Sequence, residues 1–527
     1  ERPETPPNPS AIIPFGRDLD FVQRGKFLDQ IHQACTEPDS RIALVGLGGV
    51  GKSQIAIEYA YQVRERSPET WVFWVHASNA ARYEQSFREI ADYLKIPGRQ
   101  KPKSNIFQLL GSWLRNEAKG KWILVLDNVD EPSFLLEDPT AAQNGQASGL
   151  DSRNAQPLLS YLPHCPNGSI LITTRSRDAA LKLVESRDII AVEPMDQADA
   201  SALARKKLEK DEDKEGATAL AVALECMPLA IVQATAYISQ RAPRCTVQDY
   251  LEKFQNSDHK KASLLKYEGG QIRRDYEAKN SIIITWQISF DHIRQFRPSA
   301  ADLLSLMSFF DRQGIPESLL RSRSEERRVV HDHDSPSTDD TDIEDIESNS
   351  SDGDGFENDV VTLRDYSFIS INKDKTSFEM HSLVQIATRI CRWEAAEKLF
   401  IKVIKRNKQK LGADHPDTLT SMANLASTYQ KQGRWKEAEK LEVEVMETRK
   451  QKLGADHPST LTSMNNLALT LHGLGQHAKA ISLMKRCLQI GTQNFGDQHP
   501  NMSSSTRILA RWEAEASLND IGLGMDE

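Results

Sequence analysis

Up to about residue 194, short apolar runs alternate with stretches of helical period. Ile42–Val45, Trp71–Val75, Lys121–Asp127 and Ser169–Arg175 are runs of strand length, and Gln54–Tyr61 and Ala81–Leu94 space their apolar residues as helices do. Strands alternating with helices predict a parallel sheet. Ligand chemistry in such a sheet belongs at the carboxyl ends of the strands. The first run ends at a glycine-rich loop, the third at Asp127 and the fourth at Arg175. From about 195 to 320 the pattern is mostly helical, with periodic apolar positions over Ala217–Gln240 and Ala300–Phe310. Val360–Ile371 and Ser377–Met380 read as short strands, and a helix is expected from about His381.

The last part of the chain repeats itself. Leu411-Gly412-Ala413-Asp414-His415-Pro416 recurs at Leu453–Pro458 and, altered, at Phe495–Pro500, a period of 42. Asn424-Leu425-Ala426 matches Asn466-Leu467-Ala468, and Gly433, Ala438 and Leu441 match Gly475, Ala480 and Leu483. Small residues at the close-packing points of a helix pair are the tetratricopeptide signature. Trp393, Ala396 and Leu399 continue the phase backwards, so a helix B is expected at about 393–409, with the helix from His381 in its helix A slot. A capping helix is expected near Ser503–Ala514. Each Asp-His-Pro reads as a turn at a helix boundary rather than a metal ligand.

Composition narrows the picture. A length of 527 residues suits about three or four domains. The net charge of -9 argues against a nucleic-acid-binding protein. The six cysteines form no C-x-x-C pair, which is the usage of a reducing compartment, and the expected location is cytoplasmic. No apolar run reaches membrane-spanning length, so no membrane partner is expected. Four prolines within Glu1–Ser10 read as a linker from a further domain upstream, the chain being a fragment. Asp332–Asp359 holds twelve acidic residues and no Lys or Arg, and is expected to be disordered.

The chemistry centres on Gly46-Leu47-Gly48-Gly49-Val50-Gly51-Lys52-Ser53. Strand, glycine loop, Gly-Lys-Ser and helix together are the context of a phosphate-binding P-loop. Glycines let backbone N–H groups face phosphate oxygens, and the helix N-terminus adds partial positive charge. Lys52 is the residue to reach the β- and γ-phosphates, and the Ser53 hydroxyl the one to bind Mg²⁺, with Asp127 its partner through water. The candidate cofactors are thus ADP or ATP with Mg²⁺. Catalytic candidates are Lys52, Asp127 and Arg175, the last as a γ-phosphate sensor. Asn128 stands where a hydrolytic site often has a second acid, and an amide cannot take a proton from water, so slow hydrolysis is expected. Asp130 is a possible substitute base.

Phe21-Val22-Gln23-Arg24, the P-loop, Leu124–Asn128, Thr173-Thr174-Arg175, Cys226-Met227-Pro228-Leu229-Ala230 and Met380-His381-Ser382 occur in an order that resembles the NB-ARC (STAND) ATPases. With the repeats, the chain is more closely similar to fungal NOD-like receptors that couple NB-ARC to kinesin-light-chain-like tetratricopeptide repeats. The resemblance implies a multidomain fold: an α/β P-loop NTPase with a parallel sheet, then helical and winged-helix domains, then an α-solenoid of TPR repeats. In those terms 1–20 is the linker, 21–194 the nucleotide-binding domain and 195–270 the helical domain. The winged helix spans 271–390, interrupted by the acidic insert 321–359; the repeats are 391–515 and the tail 516–527. It implies that Arg24 contacts the nucleotide, with Gly46, Gly48, Gly49, Val50, Gly51, Lys52, Ser53 and Gln54 around the phosphates. Pro228 would lie near the adenine, and His381 would hydrogen-bond the ADP β-phosphate and hold a closed state. Gln23 replaces the family's Gly, Cys226-Met227 its Gly-Leu, and Ser382 the Asp of Met-His-Asp. The implied function is a signalling switch in fungal self/non-self recognition and innate immunity. It would sense a protein or peptide ligand through the repeats and form a homo-oligomer when active. Two alternatives are a constitutive tetratricopeptide adaptor with a vestigial nucleotide site, and a housekeeping ATPase with steady turnover.

Overall fold

The structure, a computed structural model, describes residues 7–101, 104–137, 156–208, 214–256, 258–267, 281–321, 354–372, 376–495 and 505–514. It divides into two compact units, Glu1–Thr388 and Arg389–Glu527.

In the first unit six parallel strands form one sheet in the order β1-β3-β4-β5-β2-β6. They are β1 Ala11–Ile12, β2 Ser40–Val45, β3 Trp71–His76, β4 Trp122–Asp127, β5 Gly168–Thr174 and β6 Ile189–Ala191. The inner strands are nearly continuous apolar runs because helices such as Ala80–Tyr93 and Ile106–Leu114 cover the sheet. Phe73, Tyr83, Phe87, Leu110 and Leu124 form part of that core. Gly168 is required there: a Cβ would lie 2.1 Å from the Trp122 ring, whose N–H donates to the Leu114 carbonyl at 2.9 Å.

Two strands escape the sequence pattern. β1 lies within 1–20, read as a linker, yet it pairs with β3, and Arg17 is bonded to Glu58 at 2.7 Å. β6 is three residues long and only partly buried.

Helices follow from Gln197 to Met307, then a small antiparallel sheet of β7 Ile315–Pro316, β9 Ser377–Met380 and β8 Ile369–Ile371. The expected helix over Ala217–Gln240 is two, Lys214–Ala223 and Pro228–Gln240, parted by a turn in which Glu225 and Cys226 have φ of 51° and 54°. Part of the expected acidic disorder is corrected. Residues 332–353 lie outside the described residues, but Asp354–Asp365 is helical, as is the first half of Val360–Ile371, read as strand. Val360 and Leu363 give that helix a buried face. Asp359 is also buried there, accepting from Ser299 Oγ at 2.7 Å and paired with Arg297.

In the second unit helices Pro416–Lys431, Trp435–Leu453, Pro458–Gly473 and His477–Phe495 pack in sequence, and 505–514 is helical where a cap is expected. Phe495 ends the last of these helices, and the rest of the third Asp-His-Pro copy lies outside the described residues. His415 and His457 are the N-caps of their helices: Nδ1 accepts from the amides of Asp417 and Ser459 at 3.2 and 3.1 Å. Pro416 and Pro458 open those helices, where a missing N–H costs nothing. Thr418 and Thr460 donate to the carbonyls of Gly412 and Gly454, both at 2.9 Å.

The helix pair expected over 381–409 is corrected to one helix, Ser382–Lys410. Gly433 and Gly475 break the later pairs with φ of 70° and 77°. The position 42 residues before Gly433 is Cys391, which has no such freedom, and the helix continues.

Helix Trp435–Leu453 buries an unbalanced acid. Glu442 is 3% exposed and accepts from Gln430 Nε2 at 2.9 Å and from the Thr470 hydroxyl. Burial pushes its carboxyl up to about 7, against the Thr470 hydrogen bond. A folded-state value above the ordinary 4.5 stabilises the protonated form. That stability is complete below the ordinary value and lost as pH rises through about 7. Glu442→Gln is therefore expected to melt higher than the parent at about pH 8, by up to about 3 kcal/mol, and alongside it at about pH 5. Thermal denaturation of the full chain at the two pH values measures it. A parent whose deficit does not grow with pH contradicts the account.

Candidate functional site

The glycine loop Gly46–Gly51 joins β2 to helix Lys52–Arg66. Gly49 and Gly51 have φ of 92° and 95°, a region where an L side chain is strained. The helix begins at Lys52, so its first amides have no partner within the helix and face the loop's concavity. Lys52 is 8% exposed and donates from Nζ to the carbonyls of Gly46 and Leu47 at 2.7 and 3.2 Å. Burial pulls its ammonium down to about 8, with Arg175 adding to the effect and Asp130 and Asp127 opposing it. Val50 is fully buried; Gln54, on the first helical turn, is half-buried.

Asp127 ends β4 beside the loop. Its Oδ1 accepts from Ser53 Oγ at 2.7 Å and Thr173 Oγ1 at 2.6 Å, and its Oδ2 from Asn128 Nδ2 at 3.2 Å. Asn128 adopts φ 64°, which Asn tolerates, and its amide donates to Thr173 Oγ1 at 2.9 Å. Burial pushes the Asp127 carboxyl up despite the Thr173 and Ser53 hydrogen bonds. A buried carboxyl held by hydroxyls beside a P-loop serine suits a divalent cation, which would favour its charged form.

Arg175 follows β5. Its amide and Nε bind Asp130 at 2.8 and 3.0 Å, and Nη1 donates to the Thr285 carbonyl at 2.7 Å and to Ser289 Oγ at 3.0 Å. Asp130, read as a possible base, is thus the residue that orients Arg175. Thr285 and Ser289 lie on helix Ile282–Phe296, which packs directly on the glycine loop. A Cβ on Gly48 would lie 2.5 Å from Thr285 Cγ2, and the indole N–H of Trp286 donates to the Gly48 carbonyl at 2.8 Å.

Arg24 touches the loop from the other side. Nη1 donates to the Val50 carbonyl at 3.0 Å and Nη2 to the Glu193 carbonyl at 2.7 Å. Pro228 is buried as the first residue of its helix, and the following amide, of Leu229, donates to the Gly49 carbonyl at 3.2 Å.

His381 stands one side chain away from the loop, its ring edge-on to Trp286 with centroids 6.0 Å apart. Nδ1 is 2.9 Å from Glu225 Oε2, which also accepts the Ser382 amide at 3.0 Å. The Leu383 amide approaches Nδ1 at 3.3 Å, but the closer, charged carboxylate decides that Nδ1 carries hydrogen. Nε2 is buried with no hydrogen-bond partner. Glu225 Oε1 accepts from Arg312 at 2.6 Å. Burial works to raise the Glu225 carboxyl, but His381, Ser382 and Arg312 together hold it at about 2.

The structure thus gathers Lys52, Ser53, Asp127 and Arg175 at one end of the sheet, with Arg24 and the residue after Pro228 bracing the loop. Sequence reasoning missed Trp286, Thr285, Ser289 and Glu225. Each acts through a contact with a residue far along the chain, and none carries a local motif. Thr173 was visible only as part of Thr-Thr-Arg.

The comparisons agree with this arrangement. Residues 40–211 match the NACHT domain. Residues 291–391 match a domain of unknown function, and 380–417, 418–459 and 460–501 each match a tetratricopeptide repeat. The chain is 32% identical over 391 residues to a nucleotide-binding leucine-rich repeat (NLR)-like protein of Hyaloscypha variabilis, over 72% of this chain and 35% of that protein. The chain therefore spans about a third of that relative's length. Among solved structures, a STAND protein with a tetratricopeptide repeat sensor from Pyrococcus horikoshii is 12% identical, with a TM-score of 0.28 over 95% of this chain and 66% of its own. The tetratricopeptide-like repeats of a Podospora anserina putative kinesin light chain are 20% identical, with a TM-score of 0.24 over 40% of this chain and 91% of theirs. Likeness at these scores is slight.

Proposed function

We propose that this chain, a NACHT-type P-loop protein carrying tetratricopeptide repeats, is a nucleotide-dependent signalling switch of the NB-ARC kind. The observation that carries the reading is the helix Ile282–Phe296 seated on the glycine loop, with Trp286 on Gly48 and Arg175 tied to Thr285 and Ser289. A helix from a later part of the unit that grips the phosphate loop couples nucleotide state to domain arrangement. The orphaned Nε2 of His381 fits the same reading, because a buried ring nitrogen needs a partner, and a phosphate oxygen is one.

Loop amides and Lys52 would hold the phosphates of ADP or ATP, with Ser53 and Asp127 holding Mg²⁺, which supplies charge neutralisation when bound. ADP favours the packed state just described. A γ-phosphate competes for Arg175 and so favours release of the helix. A protein or peptide ligand on the repeats must also prefer the open state, or no switching follows. The open form is expected to assemble with copies of itself. The NLR-like relative supports a fungal innate-immune setting in the cytoplasm; among the described residues no helix is long and apolar enough to cross a membrane.

The direct test is to purify the chain without added nucleotide, denature it and identify what is released by chromatography. Near-stoichiometric ADP is expected. An empty protein with no affinity for ADP or ATP removes the switch and leaves the repeat adaptor.

Hydrolysis is expected to be slow. Asn128 faces Asp127 with an amide that donates rather than accepts a proton. Asn128→Asp is expected to raise single-turnover hydrolysis of bound ATP by about tenfold or more. No acceleration would show that a missing base does not limit the rate.

A further inference from the structure

Glu225 belongs to no recognised motif, yet its turn reaches two ends of the site. At the end of the turn the Leu229 amide is bonded to the Gly49 carbonyl, and at its start the Glu225 carboxylate meets His381 and the Ser382 amide. Glu225 and Cys226 both adopt left-handed backbone, φ 51° and 54°, a conformation non-glycine residues take at a cost. The turn is held by the Cys226 amide on the Ala221 carbonyl at 2.8 Å and the Met195 amide on the Cys226 carbonyl at 3.1 Å. That backbone delivers the carboxylate to a ring more than a hundred and fifty residues away.

The geometry points to Glu225 as a positioning residue for the nucleotide phosphates, acting through His381. By accepting the Nδ1 hydrogen it fixes the ring and favours its doubly protonated form, so that the buried Nε2 presents a hydrogen to an anionic oxygen of a nucleoside diphosphate. The proposal rests on the nucleotide reading above. A neutral imidazole that gives its single hydrogen to a carboxylate has only a lone pair at its other nitrogen, and a lone pair repels phosphate. The charge on Glu225 is what allows the second hydrogen. Arg312 keeps that carboxylate ionised from its other oxygen. Without the carboxylate, His381 shares the turn with Arg312 alone, and a second cation there is disfavoured.

The test measures release of fluorescently labelled ADP from the full chain in the parent, Glu225→Gln, Glu225→Asp, His381→Ala and the double variant Glu225→Gln/His381→Ala. Glu225→Gln keeps the shape and removes the charge; release is expected to quicken by about tenfold or more, the worth of one charged hydrogen bond. Glu225→Asp, which restores the charge, is expected to stay within about threefold of the parent. In the His381→Ala background the Gln substitution is expected to add nothing, because its route is gone. Additive effects, or a Gln variant that releases ADP at the parental rate, overturn the proposal while leaving the nucleotide site intact. A parent that binds no ADP overturns the nucleotide reading itself. Should the Gln variant fail to fold, histidine-selective NMR of the ADP-loaded parent decides. Two ring N–H signals that vanish in His381→Ala support the proposal, and a single one overturns it.

Discussion

Lys52→Ala is expected to abolish nucleotide retention. The Lys52 ammonium lies buried inside the glycine loop, tethered to the Gly46 and Leu47 carbonyls, where it is the cation nearest any bound phosphate. Its removal deletes a charge-assisted contact in a desolvated site, worth about 3 kcal/mol or more, so affinity falls at least about a hundredfold. Folding is affected far less, since the buried charge that disappears was itself costly. Two readouts separate the effects. The parent is expected to release ADP on denaturation and to melt higher when ADP is added, as a ligand that binds only the native state must make it do. The variant is expected to release none and to melt at a temperature indifferent to ADP. A variant that keeps ADP would show that the loop is not the phosphate site.

Trp286→Ala is expected to cause the largest loss of stability in the first unit. The indole is 2% exposed, its N–H caps the Gly48 carbonyl and its ring meets His381 edge-on. Truncation opens a cavity between the glycine loop and helix Ile282–Phe296 and leaves a carbonyl without its donor, a cost of about 3–5 kcal/mol. The melting temperature should fall and nucleotide exchange should quicken together, because the same contact serves both. Trp286→Phe separates the two terms. It keeps most of the packing and forfeits the hydrogen bond, about 1 kcal/mol. If Trp286→Ala melts early yet exchanges nucleotide at the parental rate, the helix does not gate the site.

What the amino-acid sequence disclosed depended on how local the cause was. The glycine loop, the strands ending at Asp127 and Arg175, and the repeats are written in contiguous residues, and the structure contains each of them. β1 was missed because two residues carry no periodicity, and their pairing with β3 depends on a strand sixty residues on. The helix from Asp354 was misjudged because acid-rich composition hid the buried pair Val360 and Leu363 and the counter-charge Arg297. The unbroken helix Ser382–Lys410 was legible in principle, since Cys391 occupies the glycine position of the later repeats. Within the site, Lys52, Ser53 and Asp127 follow from spacing alone. Trp286 and Glu225 do not, because a tryptophan in a helix and a glutamate in a turn take their meaning from partners that only folding brings near.

The paired histidine caps have an evolutionary consequence. Around Gly412 and Gly454 the threonine hydroxyl, the capping imidazole and the opening proline recur with the same partners and nearly the same distances. A tandem duplication of one in-frame cassette of 42 codons would therefore recreate a junction that already folds, needing no compensating change on either side. Unequal crossing-over between the near-identical segments would lengthen or shorten the array in a single event. Lineages carrying this gene would then vary their recognition surface by copy number faster than by point substitution.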